Sequence, residues 1–484
     1  MAKDTFEEHA ADLEKNIGPL GFKTSRATRV DGEDAISVLE SEWKTSEGHA
    51  RLQGRTPVAL DRDRILHSDH FRRQDDKYHV LFSGGTRLAR TYTSHSIKAA
   101  AMARSVASRL DLNSDLAEAV ILGSKVGGVP FIHVGKQVLD SWVRDRVKSL
   151  DEAQQPPDTS SARTSRPPAL FDAEDGENWI FPGWIDGIRS VDLRTKVTRF
   201  MPWAAGSSSA GAYASGQESY WTLTVNPFDL EPSGNSYLAQ TMYGIWRHSR
   251  VSPTSLSSTF RHSLDGLGKS KTKRSIDETH ATHEAVLARY CDDITWVLEN
   301  LNEASRVAAL EHQITMHQTL AKSHSRDFDA AVLAALGVSD HSKLYTYFID
   351  DLVTTSKANQ SKQAVDVHAD ETNPLIALSP RASRTLTLMI EFLDSNVFSD
   401  ERIEFRNRTL KGIISTGLDI LYTSYENEMP RRIERAARLD GSYSPDAMKA
   451  VGDLLKEPVH RIQASVDLIA SMSDREVFEL VGLE

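Results

Sequence analysis

Three neighbouring stretches in the first third of the chain decide its fold. They read RTPVALDRDRILHSDHFRRQDDKYHVLF (residues 55–82), RTYTSHS (90–96) and LGSKVGGVPFIHVGK (122–136). From His95 onward small residues recur at helical spacing, which favours a helix that packs closely against its neighbours. Asn113 is the predicted N-cap of the next helix, which a Gly-Gly pair ends just after Lys125. These patterns predict a helical core.

Composition and charge place the chain among ordinary globular proteins. It has 484 residues, 39% hydrophobic and 26% charged, and its formal net charge of −11 gives no global basic footprint for nucleic acid. Cys291 is the single cysteine, so no intrachain disulfide or Cys-based zinc site is expected. No apolar run approaches the roughly 18 residues of a transmembrane helix, and the N-terminus is unlike a signal peptide. We expect a cytoplasmic protein without a membrane partner.

The three stretches closely resemble the core of the dGTPase family, the HD-domain deoxynucleoside triphosphate triphosphohydrolases. In that family they read like DRDRIIHSxAFRRLQxKTQVF, RTRLTHS and AHDLGHPPFGHAGE. Three later stretches are similar to the family's EGILKHS, LEAQIADLADEIAYNTHDLDDA and CDYIAGMTDRYA: YGIWRHS (243–249), THEAVLARYCDDITWVLENLNEA (282–304) and VDLIASMSDREV (466–477). The resemblance implies an all-α fold, with an HD-domain helical core and an additional helical C-terminal region.

The order of these stretches divides the chain into predicted parts. They are an N-terminal helical segment (1–53), the first half of the HD-domain core (54–150), a divergent insertion with a flexible loop (151–233), the second half of the core (234–310) and a C-terminal helical region (311–484). The insertion is the main gap in the resemblance. In the last matching stretch, the adjacent Asp474 and Arg475 predict a structural ion pair.

The resemblance implies a divalent-metal site, because HD hydrolases hold a metal with a His, a His-Asp pair and a distant Asp. Carried over residue by residue, the first His is His95 and the last Asp is Asp292. Ser124 and Lys125 stand in place of the His-Asp pair. His95 and Asp292 are therefore vestigial metal-ligand positions, and Ser124 and Lys125 are lost ones.

The charge balance of this altered site predicts that no metal cofactor is bound. Two carboxylates and a divalent metal sum to about zero, and Lys125 with Asp292 also sum to zero. An ammonium paired with Asp292 in the metal's place would repel a divalent cation by several kcal/mol at an effective dielectric of about 20. The alternative is that Lys125 swings away and manganese or magnesium binds weakly to His95, Asp292 and Asp293.

The remaining catalytic positions are partly eroded. The family motif PPFGHxGE carries a His and a Glu that act near the attacked phosphate. His133 keeps the His as a residual catalytic candidate, whereas Lys136 replaces the Glu. Since a general base at neutral pH needs an imidazole or a carboxylate, His133 is the remaining candidate of this motif.

Residues that would handle phosphate and sugar are better kept. The resemblance implies nucleotide contacts for Arg90, Arg72, Lys77, Trp296 and Arg247. Arginine suits phosphate oxygens, and a tryptophan can stack on a sugar or a base. The alternatives stay open: helix-to-helix ion pairs for the arginines, core packing for Trp296, and a cationic helix end at Arg247. Glu299 and Asn300 replace a family His-Asp in the pocket wall.

Two functions compete on these residues. The first is a catalytically impaired family member that acts as a nucleotide-binding regulatory or structural subunit, which the Ser124–Lys125 replacement favours. The second is an active, divergent dNTP triphosphohydrolase that releases deoxynucleoside and triphosphate, which the retained His95, His133 and Asp292 favour. Expected partners are a dNTP or related nucleotide, and further copies of the chain or an active paralogue, because family members form oligomers.

A third function is single-stranded nucleic-acid binding, since some family members bind single-stranded DNA. The segment 247–274 is locally basic and contains RHSR, FRH and GKSKTKR. A solvated loop is the alternative. Salt-dependent affinity that disappears when the basic residues of 269–274 are neutralised would favour binding.

Overall fold

The computed structural model describes residues 56–78, 90–153, 180–182, 196–198, 282–310, 315–360, 375–439 and 458–483, with isolated residues at 219–248 and 445–456. Helices dominate this part of the chain, which confirms the predicted all-α class. Strands β1 (Ile180–Pro182) and β2 (Lys196–Thr198) pair antiparallel, with Phe181 opposite Val197. Among the described helices, none has the length and apolar character needed to cross a membrane.

The first helices follow the stretches that the sequence singles out. They are α1 (Pro57–His67), α2 (Asp69–Arg72), a 3-10 turn (Arg73–Asp76), α3 (Tyr92–Arg109) and α4 (Ser114–Lys125). Each long helix has a side-chain cap: the Thr56 and Thr91 hydroxyls accept at α1 and α3. At α4 the Asn113 Oδ1 accepts from the Leu116 amide at 3.1 Å, which confirms the predicted N-cap.

Two longer helices complete the region around α3 and α4. They are α5 (His133–Ala153) and α6 (His283–Leu310). Helix α6 packs against both α3 and α4. Small side chains make this approach possible, since Ala99, Ala103 and Ala288 have no exposed surface. The polar end of α4 is thereby held next to the middle of α6.

The C-terminal region is also helical. Its elements are α7 (Met316–Ser323), α8 (Ala330–Gly337), α9 (His341–Gln360), α10 (Pro380–Leu393) with a π-helical turn (Asp394–Phe398), α11 (Glu401–Thr423), α12 (Glu428–Leu439), α13 (Pro458–Ser471) and α14 (Asp474–Leu480). Ser473 begins α14 with a capping box, in which its hydroxyl and the Glu476 carboxylate each accept the other residue's backbone N–H.

Buried apolar side chains form two clusters. The first lies among α1, α3, α4 and α6 and continues through α7 to α10. The second lies among α5, α11, α13 and α14 and includes Trp142, Leu418 and Ile469. The predicted division of the chain into parts stays a prediction, and its segments 1–53 and most of 151–233 lie outside the described residues.

A buried aspartate ties the start of the core to the last helices. Asp474 Oδ2 accepts from the Tyr78 amide at 2.9 Å, and Oδ1 accepts from the Phe131 amide at 2.7 Å. Arg475 instead pairs with Glu479 at 2.9 Å. The predicted ion pair between Asp474 and Arg475 is therefore wrong, because at the start of α14 one side chain turns inward and the other outward.

Candidate functional site

Asp292, in the middle of α6, is the centre of the candidate site. Lys125 Nζ, at the end of α4, lies 2.6 Å from its Oδ2. His95 Nε2, on α3, lies 2.9 Å from its Oδ1. His248 Nε2 lies 3.0 Å from Oδ2. One carboxylate therefore faces an ammonium and two imidazoles, and the predicted pairing of Lys125 with Asp292 is confirmed.

Close backbone packing fixes where Lys125 stands. A Cβ atom on Gly123 would lie 2.3 Å from a side-chain carbon of Ile245, and one on Gly128 would lie 2.4 Å from the Tyr92 ring. Only glycine fits at such distances. The Tyr92 ring in turn lies beneath the Lys125 ammonium, 5.8 Å from its centroid. The backbone at the end of α4 is therefore closely packed on either side of Lys125.

The electrostatics of the centre match an ion pair. Burial acts to raise the pKa of Asp292, but Lys125 and hydrogen bonds from His248 and His95 hold that pKa well below its usual range. Burial acts to lower the pKa of Lys125, yet the Asp292 carboxylate leaves it above its ordinary value. Burial lowers the pKa of His248. At neutral pH the site therefore holds a charged lysine, a charged aspartate and a neutral His248.

The side chains at the lost metal positions do not fit a divalent cation. Ser124 donates its hydroxyl to the Ile121 carbonyl of its own helix at 2.8 Å. Lys125 places its ammonium directly on Asp292. A cation needs oxygen or nitrogen lone pairs: the Lys125 ammonium has none, and the Ser124 hydroxyl is a neutral group held against its own helix. In the described residues, no group of three or more His, Cys, Asp or Glu is arranged to hold a metal ion.

A second set of charges continues from His95 along α6. His95 Nδ1 lies 3.2 Å from Glu299 Oε2, so its two nitrogens face two different carboxylates. Both contacts are hydrogen bonds when both ring nitrogens carry protons. Arg90 Nη1 lies 2.7 Å from the same Glu299 oxygen, and Arg90 Nε lies 3.2 Å from Glu303. Lys98 contacts the other oxygen of Glu299.

Curated proteins of one name are similar in sequence to part of this chain. A deoxyguanosinetriphosphate triphosphohydrolase-like protein of Caldanaerobacter subterraneus subsp. tengcongensis is 38% identical over 122 residues, which are 24% of this chain and 36% of that protein. A protein of the same name from Caulobacter sp. (strain K31) is 43% identical over 90 residues, 19% of this chain and 23% of its own length. Over these residues the chain is similar to deoxyguanosinetriphosphate triphosphohydrolase-like proteins.

A third relative is similar to this chain over a comparable length. The protein of that name from Clostridium tetani is 33% identical over 132 residues, covering 26% of this chain and 38% of itself. No family model matches the chain. The matches thus span well under half the length of these relatives, so the family and the activity of this chain are left to be proposed.

Two residues predicted to contact a nucleotide have partners inside the protein. Lys77 is 1% exposed, and its ammonium donates to the carbonyl oxygens of Gly128 and, at 3.0 Å, of Ala470. This burial contradicts the predicted nucleotide contact, because the ammonium already has acceptors inside the protein. Trp296 stacks on Phe398, with 5.7 Å between ring centroids, which confirms the core-packing alternative.

The other predicted site residues are one buried arginine, one exposed arginine and two residues whose side chains are not described. Arg90 is 6% exposed and held by acids of α6, which is the helix-to-helix ion-pair alternative. Arg72 is exposed as the last residue of α2, and its nucleotide contact stays a prediction. Arg247 lies outside the described residues. His133 begins α5, but its side chain lies outside them, so its catalytic role also stays a prediction.

Sequence reasoning missed two partners that complete the centre. His248 contacts Asp292 directly, although only its neighbour Arg247 was predicted as a site residue. Glu299 links His95 and Arg90, although its sequence signal was only the replacement of a family His. A useful signal for both was available, since each lies in a stretch that resembles the family.

Proposed function

We propose that this protein is a catalytically impaired member of the dGTPase family, which acts as a regulatory or structural subunit that binds a dNTP or a related nucleotide. One observation carries the proposal: Lys125 Nζ lies 2.6 Å from Asp292 Oδ2. The family's reaction places a divalent metal at that carboxylate, and here an ammonium from the chain itself is its counter-ion. The proposed partners are further copies of the chain or an active paralogue.

The physical reason is competition for the carboxylate. The Asp292 oxygens face the Lys125 ammonium and the Nε2 atoms of His95 and His248. A divalent cation would have to displace these groups and approach a positive charge at contact distance, at a cost of several kcal/mol. Metal-assisted activation of water is the chemistry that the family needs at this place. Its loss supports impairment more directly than any other change in the chain.

An active divergent hydrolase is the second candidate. The convergence of His95, His248 and Lys125 on one carboxylate favours it, because imidazole and ammonium groups can transfer protons and stabilise phosphate charge. It would use weakly bound manganese or magnesium, or a route without metal. Single-stranded nucleic-acid binding rests on the segment 247–274, of which only His248 lies in the described part of the chain.

The decisive experiment restores the lost ligands. Triphosphate release from each of the four dNTPs is measured with manganese for the native protein and for the double variant Ser124→His with Lys125→Asp. Native protein without turnover, and a double variant with manganese-dependent turnover, are the expected results. Lys343→Asp is the control, since Lys343 is an exposed lysine of α9 paired with Asp340.

Two outcomes would contradict this proposal. Turnover of a dNTP by the native protein above the background of a heat-treated sample would make it an active hydrolase. Absence of dNTP binding to the native protein, measured by isothermal titration calorimetry, would remove the nucleotide from the proposal and leave a structural subunit.

A further inference from the structure

Two carboxylates and one amide of the chain face the three nitrogens of the Arg90 guanidinium. Nη1 lies 2.7 Å from Glu299 Oε2, Nη2 donates to Asn300 Oδ1 at 3.0 Å, and Nε lies 3.2 Å from Glu303 Oε1. The Arg90 side chain is only 4% exposed. Each of the three guanidinium nitrogens thus already faces an oxygen of the chain itself. The chain itself therefore supplies the anion that Arg90 would otherwise take from solution.

Glu299 receives an unusual number of positive donors for one carboxylate. Arg90 and His95 both face its Oε2, and Lys98 faces its Oε1. Burial acts to raise the pKa of Glu299, but the His95 hydrogen bond and the Arg90 charge bring it well below its usual range. Convergence of a guanidinium, an imidazole and an ammonium is the donor set that proteins direct at phosphate or carboxylate oxygens.

The position of Lys98 gives this cluster a route to solvent. Its side chain is 59% exposed, whereas that of Glu299 is 5% exposed. The cluster thus runs from the surface at Lys98 to the buried Arg90. An anion that entered beside Lys98 would meet the same donors that Glu299 now meets.

We infer that Arg90, His95 and Lys98 form a latent oxyanion site that the chain closes with its own Glu299. The ligand class is a small oxyanion, such as inorganic phosphate or the phosphoryl group of a nucleotide. The inference rests on the proposed function in one respect, since it concerns the wall of the same site.

Removal of the Glu299 side chain tests the inference by chemical rescue. Glu299→Ala leaves the three donors around a cavity, and inorganic phosphate is expected to fill it. The thermal midpoint of the variant should rise with phosphate in a saturable way, at constant ionic strength set by chloride and with EDTA present. The native protein, whose own carboxylate fills the site, should show no saturable rise.

Glu118→Ala is the matched control. Glu118 also lies between two arginines, 2.8 Å from Arg104 and 3.6 Å from Arg62, but its side chain is 21% exposed. Loss of an acid at that surface site should produce no saturable response to phosphate, because water screens the arginines there. Equal phosphate responses in Glu299→Ala, Glu118→Ala and the native protein would overturn the inference.

Two further measurements keep the test decisive. If Glu299→Ala does not fold, Glu299→Ser also removes the charge and vacates the space, and phosphate should then bind measurably where the native protein binds none. No gain in affinity would overturn the inference. Inorganic triphosphate and dGTP are compared in the folded variant: tighter dGTP binding assigns the site to a nucleotide, and equal binding assigns it to a free oxyanion.

These results are separate from those on the proposed function. The rescue uses neither metal nor turnover, so its failure leaves the assay of triphosphate release untouched. Conversely, native turnover would overturn catalytic impairment while a saturable phosphate response in Glu299→Ala would still stand.

Discussion

Two aspartates of this protein, one partly buried and one buried, have opposite surroundings. Asp292 faces side-chain nitrogens, from Lys125, His95 and His248. Asp474 faces backbone amides, which donate to both of its oxygens from Tyr78 and Phe131. Burial acts to raise the pKa of both carboxyls. The pKa of Asp292 nevertheless lies well below its usual range, whereas that of Asp474 rises to about 7.

The difference shows that the partner, and not burial, decides the charge of a buried acid. A full positive charge at contact distance outweighs desolvation, whereas amide dipoles offset only part of it. Asp292 is therefore one half of an ion pair with Lys125. Asp474 is a structural joint whose charge changes near neutral pH.

The joint at Asp474 holds a backbone segment of uncommon conformation. Phe131 and Ile132 have φ angles of 54° and 46°, in the left-handed region that residues with a Cβ rarely adopt. The Asp474 hydrogen bond to the Phe131 amide holds the first of them in place. The segment leads directly into α5, so the joint also sets where α5 begins.

The largest expected effect comes from breaking the Asp292 ion pair. Lys125→Met should lower the free energy of unfolding by about 3 to 5 kcal/mol, because it leaves a buried carboxylate without its cation. The double variant Lys125→Met with Asp292→Asn should recover much of that loss. Urea unfolding followed by circular dichroism measures both. A loss below about 1 kcal/mol for Lys125→Met would mean that the pair behaves like a surface contact.

The next effect concerns pH and Asp474. Its folded pKa is raised to about 7 from an ordinary value of 3.8, so its contribution to stability is present at low pH and is lost as pH rises towards 7. Between pH 5 and pH 8 the native protein should therefore lose on the order of 2 kcal/mol that Asp474→Asn does not lose.

The quantity to compare is the change in the free energy of unfolding with pH, measured for the native protein and for Asp474→Asn. Asp474→Asn is expected to be less stable than native protein at pH 5, since one hydrogen bond to backbone is lost, but to change less with pH. The groups near Asp474 that also carry charge are Lys77, Asp76 and Arg406. Parallel curves for the two proteins would show that Asp474 is ionised throughout this range.

The smallest expected effect comes from an exposed ion pair, which serves as the contrast to the pair of Lys125 and Asp292. Arg104 bridges Asp115 and Glu118 at the surface, and its side chain is 46% exposed. Arg104→Ala should lower the free energy of unfolding by less than about 1 kcal/mol, and salt should reduce the loss further. An effect as large as that of Lys125→Met would show that burial contributes less than the charges themselves.

Much of this architecture could be predicted from short-range pattern. The Asn113 cap, the end of α4 at Lys125 and the helical class all follow from residues within a few positions of one another. The pair of Lys125 and Asp292 followed from a charge balance at two motif positions, although 167 residues separate them in sequence. Residues whose partners have no motif signal were harder to place. Lys77 was predicted to contact a nucleotide, but its acceptors are carbonyl oxygens at Gly128 and Ala470.

The sequence by itself determined the helical class, the resemblance to the dGTPase family and the presence of Ser124 and Lys125 at two motif positions, because these depend on residue type and local spacing. Only the tertiary structure decided that Glu299, 209 residues from Arg90 in the sequence, pairs with that arginine. It also decided that His248 contacts Asp292. The physical reason is that charge pairing inside a protein depends on which side chains share a buried space. Packing of α3, α4 and α6 creates that space, and no local pattern records it.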